Sequence, residues 1–168
     1  MPAKGETFSR CVYPQGFLVL ISFFFAVLAM PHAFAKEGPA VWQDAATGYA
    51  VGGYDPIAFF TRGSAIEGRY GIEFAWRGAV WKFRNEGNRS AFGRDPAVYA
   101  PRFAGYDPFS LAEGRIVQGL PTLWRIYENK LYFFQNVVNI RFWAEDPKGV
   151  LALAEGRWPK LSRKLPWK

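Results

Sequence analysis

Apolar positions along the chain fall into three patterns separated by breakers. The first is an unbroken run, residues 17–30 (FLVLISFFFAVLAM), with no charge in 14 positions. The second has period two: Glu73-Phe-Ala-Trp-Arg77 alternates, Gly78 turns the chain, and Val80-Trp-Lys-Phe-Arg84 alternates again. A second such pair follows at Leu123-Trp-Arg-Ile-Tyr127 and Leu131-Tyr-Phe-Phe134, joined by Glu128-Asn129-Lys130. Both read as β-hairpins with one face turned to a core. The third pattern is helical, with a helix expected after each hairpin, over residues 86–93 and 136–145.

Asp-Pro occurs at Asp55-Pro56, Asp95-Pro96, Asp107-Pro108 and Asp146-Pro147. An Asp side chain accepts from the free amides of a first helical turn, and proline suits the first helical position because its missing N–H would have had no partner there. Each pair therefore predicts a helix start, and the short apolar segments that follow need a larger body to pack on. The expected architecture is a small single α+β domain: two hairpins forming one antiparallel sheet, covered by short helices, with Trp81 or Phe83 and Trp124 or Ile126 in a shared core.

The run at 17–30 follows a basic stretch with Lys4 and Arg10, is broken by Pro31, and leads to Ala33-Phe34-Ala35. That is the layout of a cleaved signal peptide, with cleavage after Ala35, and 14 apolar residues fall short of the roughly 20 that span a membrane. Residues 36–168 then form one domain, periplasmic or secreted. They hold 19 basic and 13 acidic residues, all seven Trp, and none of the chain's His, Cys or Met. Without imidazole, thiol or thioether the exported part cannot build His or Cys zinc sites, thiolate or Met copper sites or a His-ligated haem, no cofactor is expected, and nucleophilic Cys and Ser-His-Asp chemistry are excluded. Residues 157–168 carry five positive charges and no acid. They read as a basic, mobile tail after a domain of residues 36–156, making weak contact with anionic surfaces. Scattered Lys and Arg before that point, and a site outside the cytoplasm, argue against nucleic acid as a partner.

Gly52-Gly53-Tyr54-Asp55-Pro56-Ile-Ala-Phe-Phe, the hairpin ending Val80-Trp-Lys-Phe-Arg84, Glu86-Gly-Asn88-Arg89-Ser-Ala91-Phe92, Asp95-Pro96-Ala-Val-Tyr99-Ala-Pro101 and Ala104-Gly105-Tyr106 together resemble the exported bacterial YHS-domain proteins. The resemblance runs from Thr47 to Trp158. It implies a small α+β module, and in members with Cys or His a transition-metal role. Exported members commonly carry Cys directly after the Gly-Tyr pair matched by Gly105-Tyr106; here that position is Asp107, which removes the soft ligand. The resemblance transfers no settled activity; the missing catalytic side chains and a chain too short for a second domain point to a non-enzymatic binding or accessory module, with a small ligand or an envelope protein as partner.

Gly-Tyr-Asp-Pro appears twice, at 53–56 and 105–108. Tyr54, Asp55, Tyr106 and Asp107 are therefore the candidate binding residues. If the copies face each other, Asp55 and Asp107 form a carboxylate pair for a hard cation such as Ca²⁺ or Mg²⁺. The competing reading makes both helix caps, for which Asn at 107 is nearly neutral, and both tyrosines core. Carboxylate-based hydrolysis would draw on Asp55, Asp107, Glu73 and Glu113, though nothing in the sequence fixes a separation between any two. Trp42, Trp124, Trp143 and Trp158 are the candidate stacking platforms, against a core role for each.

Overall fold

All four Asp-Pro pairs open helices in the computed structural model, which describes Met1 and residues 41–165. The chain divides into two units, residues 1–33 and 34–168, and every described element lies in the second. The expected signal peptide and its cleavage point lie outside the described residues, as do residues 166–168.

Asp55 caps α1 (Pro56–Arg62), Asp107 caps α4 (Pro108–Ala112) and Asp146 caps α6 (Pro147–Leu161), each accepting from a first-turn amide. Asp95 precedes α3 (Pro96–Tyr99) without a side-chain cap bond. The helices after the hairpins, α2 (Glu86–Arg94) and α5 (Val137–Glu145), are capped by Asn85 and Asn136. The hairpins are β1 (Glu73–Trp76) with β2 (Ala79–Lys82), and β3 (Leu120–Tyr127) with β4 (Lys130–Phe134), both antiparallel.

The α+β class stands, but the single sheet does not: each hairpin is its own two-stranded sheet. The segment before α1 occupies the edge of β2, where Ala50 donates its N–H to the Val80 carbonyl and Tyr49 bridges Val80 in parallel. That segment, and not the second hairpin, lies along β2. The hairpins meet through side chains instead. Trp81 and Phe83 lie at the centre of one continuous core, and Trp124 and Ile126 pack on it.

The order of elements repeats: a 3-10 turn, a short helix, a hairpin and two helices, first over residues 51–99 and again over 102–161. Corresponding residues lie 52 positions apart at Asp55 and Asp107, and 51 apart from the hairpins onward. Backbone angles repeat as well. Val51 and Phe103 both have left-handed φ, 48° and 51°, and the two-residue hairpin turns Arg77-Gly78 and Glu128-Asn129 are left-handed at all four positions. Such turns match strand twist and favour Gly or Asn at the second place. Gly68 and Gly119 each donate to a glycine carbonyl, Gly53 and Gly105, and a Cβ on either would stand 2.6 Å from backbone carbon of the facing strand, at Lys82 or Phe133. Core positions correspond too: Trp81 with Tyr132, Phe83 with Phe134, and Phe92 with Trp143.

The halves differ in what covers them. In β2 burial alternates, whereas Leu131, Tyr132, Phe133 and Phe134 of β4 are all buried, so the period-two pattern holds only in the first hairpin. Phe133 lies 5.3 Å from the ring of Phe59 in the other half. The stretch read as a mobile tail also requires correction through residue 165. Residues 157–161 continue α6 despite Pro159, a 3-10 turn follows at Ser162–Lys164, and Trp158 packs edge-on against Phe103 at 5.7 Å. Leu161 and Ser162 are buried. Apolar anchors at Trp158 and Leu161 hold the segment in spite of its charge.

Candidate functional site

The repeated Gly-Tyr-Asp-Pro builds a structural node in each half. The Asp55 side chain is fully buried; one oxygen accepts from the Ile57 amide at 2.9 Å, the other from the Arg84 amide at 2.7 Å and Asn88 Nδ2 at 2.6 Å. Asp107 is equally buried, accepting from the amides of Ser110 at 3.0 Å and Gln135 at 2.6 Å and from Asn139 Nδ2 at 2.8 Å. Each carboxylate thus ties a helix start to the end of its own hairpin and to the helix that follows. The capping reading is correct but too small, because three charge-assisted bonds on a buried group do more than one cap. It follows that Asn at 107 is not near-neutral: an amide offers one acceptor oxygen and turns an NH₂ toward groups that themselves donate.

The structure assigns Asp55 and Asp107 to donors within their own halves, with no acid among the partners of either. Among the described residues there is no cluster of three or more His, Cys, Asp or Glu side chains. Tyr54 is half-buried and pairs through its backbone with Glu67; Tyr106 is buried, pairs likewise with Gln118, and lies 6.2 Å from Trp158. Burial raises the Tyr106 hydroxyl above the usual tyrosine range. Glu73 accepts from the Tyr49 hydroxyl at 2.8 Å, a bond that raises Tyr49. Glu113 is exposed at the end of α4. The four candidate carboxylates are therefore in separate surroundings, with no hydrogen bond or shared donor joining any two of them.

A cavity of about 340 Å³ opens instead where the first hairpin meets the junction of the two halves. Trp76, Arg77 and Trp81 come from that hairpin, Arg102, Phe103 and Ala104 from the 3-10 turn that begins the second half, and Trp158 from α6. Ala97 and Ala100 leave the space, their small side chains standing where a larger residue would fill it. Trp81 is fully buried and donates its indole N–H to the Trp76 carbonyl at 3.1 Å, which fixes its orientation. Arg77 lies over the Trp76 ring at 4.6 Å, and Arg102 is bonded to Glu155 at 3.3 Å.

Of the tryptophans proposed as platforms, Trp158 lines this cavity. Trp42 and Trp143 are buried, each indole N–H without a partner among the described residues, and Trp124 packs on Phe59 at 5.3 Å. The sequence reading missed Trp76, Arg77 and Arg102. The adjacency of Trp76 and Arg77 at a hairpin tip was a local signal, since a turn projects its side chains beyond the sheet. Arg102 had none, because its place depends on how the second half begins.

A second, more polar cleft of about 290 Å³ lies beside the Asp55 node, lined by Thr61, Arg62, Arg84, Asn85 and Asn88. Comparison with known proteins found no matching family model, no matching curated protein and no matching solved structure.

Proposed function

We propose that this protein is a non-enzymatic binding module of the exported YHS type, acting in the periplasm or outside the cell after loss of residues 1–35, with the junction cavity as its ligand site. The observation that carries the reading is the cavity itself: its volume falls at the lower end of small-molecule pockets, about 300–1,000 Å³, and aromatic rings wall it. Catalysis by acid and base is disfavoured because the buried aspartates are held by structural donors and Glu73 and Glu113 stand apart from them. The motifs of residues 47–158 support the family assignment, and the charge pattern of residues 1–35 supports export.

The test is a thermal-shift screen of a diverse small-molecule library against the wild type and against Ala100→Phe, whose ring would fill the cavity. Compounds that stabilise the wild type and lose their effect on the variant are the expected result. A library without a stabilising member, or with members that act equally on both proteins, overturns the cavity as ligand site. Intact mass of the protein from an envelope fraction should correspond to a chain beginning at Lys36; a full-length chain in the membranes overturns the exported form.

A further inference from the structure

Resting on the binding reading above, we infer that the junction cavity takes a planar aromatic acid: one or two fused rings carrying a carboxylate. Three features select that chemistry. The lining sets the rings of Trp76, Trp158 and Phe103 beside the small side chains of Ala97, Ala100 and Ala104, a surface on which an aromatic ring can pack. Among the described residues the lining includes two guanidinium groups, Arg77 and Arg102, and no Asp or Glu. The described lining also includes no Ser, Thr, Asn, Gln or Tyr, so a sugar or other polyol would bring hydroxyls against a surface without neutral hydrogen-bonding side chains to receive them.

The two arginines differ in a way that suits one anionic group. Arg77 stacks on Trp76 and has no carboxylate within ion-pairing distance among the described residues, so its N–H edges remain open to a carboxylate fork. Arg102 is held by Glu155, but both side chains are about half exposed, and a solvent-screened pair of this kind yields readily to a better-placed anion. Glu155 therefore acts as a competitor that keeps Arg102 oriented until an anion replaces it. The cavity volume of about 340 Å³ accommodates a naphthalene-sized body.

The experiment uses the protein as isolated from its producing cells, with 1-naphthoate and the uncharged 1-naphthamide as probes. Binding is read by thermal shift and by isothermal calorimetry. The expected result is at least about tenfold tighter binding of the acid than of the amide, the size of one charge-assisted interaction. Arg77→Ala and Arg102→Ala should each remove most of that preference, read as the ratio of acid to amide binding within each variant, and Glu155→Gln should tighten the acid alone. Equal binding of acid and amide would overturn the acid preference and leave the cavity reading intact. Binding of neither probe would overturn this inference, while the wider library screen decides the cavity reading separately. An acid preference untouched by both arginine variants would place the anion elsewhere and overturn the inference as well.

Discussion

In the first half Asn88, a donor to Asp55, borders an open polar cleft, while in the second half its counterpart Asn139 is only 7% exposed. The same aspartate, the same three kinds of donor and nearly the same cap geometry, with φ of −155° at Asn85 and −154° at Asn136, serve both. What differs is the helix that ends each copy. α3 has four residues, whereas α6 has 15 and packs along α4, burying Ser110, Leu111 and Ala112. Lys82 in β2 likewise becomes the fully buried Phe133 in β4. The second copy has become the better-covered half, and the first keeps the open cleft and supplies the hairpin tip to the cavity.

That contrast predicts unequal losses from equal substitutions. Asp107→Ala leaves three neutral donors facing a covered void and should cost about 3–5 kcal/mol, since each buried donor left unpaired costs about 1–3 kcal/mol. Asp55→Ala should cost less, about 1–3 kcal/mol, because water entering through the cleft can satisfy Arg84 and Asn88. Asn in place of either aspartate should also destabilise, in the same order. Chemical denaturation of the four variants measures this, and equal losses in the two halves would show that α6 contributes nothing to the node.

A smaller effect isolates the one polar group the second node has gained. Asn139 Nδ2 also lies 3.2 Å from the Ser110 hydroxyl, whereas the corresponding place in the first half is Ala58. Ser110→Ala should cost about 0.5–1.5 kcal/mol, and a double-mutant cycle with Asn139→Ala should show coupling. Additive losses would mean that the hydroxyl contact is geometric only.

Much of this was legible from residues near one another in sequence. The hairpins, the helices after them and the Asp-Pro starts each rest on local pattern, and all appear. The role of Asp55 and Asp107 was half legible: the cap is a local bond, but the bonds to Arg84 and Gln135 span 29 and 28 positions and depend on how hairpin and helix close up. Gly-Tyr-Asp-Pro flagged the repeat, yet its extent was hidden because matching positions hold different residues of like size, such as Trp81 and Tyr132. The separate sheets and the packed α6 followed from edges and burial that no single segment encodes. The cavity was the least legible, since it joins a hairpin tip, a turn and a distant helix.

The smallest predicted effect uses that last pair. Tyr132 is 2% exposed, and burial pushes its hydroxyl above the usual tyrosine range, with Arg102 partly offsetting the rise. Its counterpart Trp81 has no ionisable proton. With the folded-state pKa raised, the unfolded chain loses the proton first as pH climbs past about 10, so folding stability should fall there, with no such loss below that pH. Tyr106, also raised by burial, adds to the same loss. Melting temperature followed from neutral to alkaline pH should therefore decline more steeply for the wild type than for Tyr132→Phe, once the two are matched at neutral pH. Parallel declines would mean that the hydroxyl of Tyr132 reaches solvent in the folded protein, and that the second hairpin is less well covered than the comparison of the halves requires.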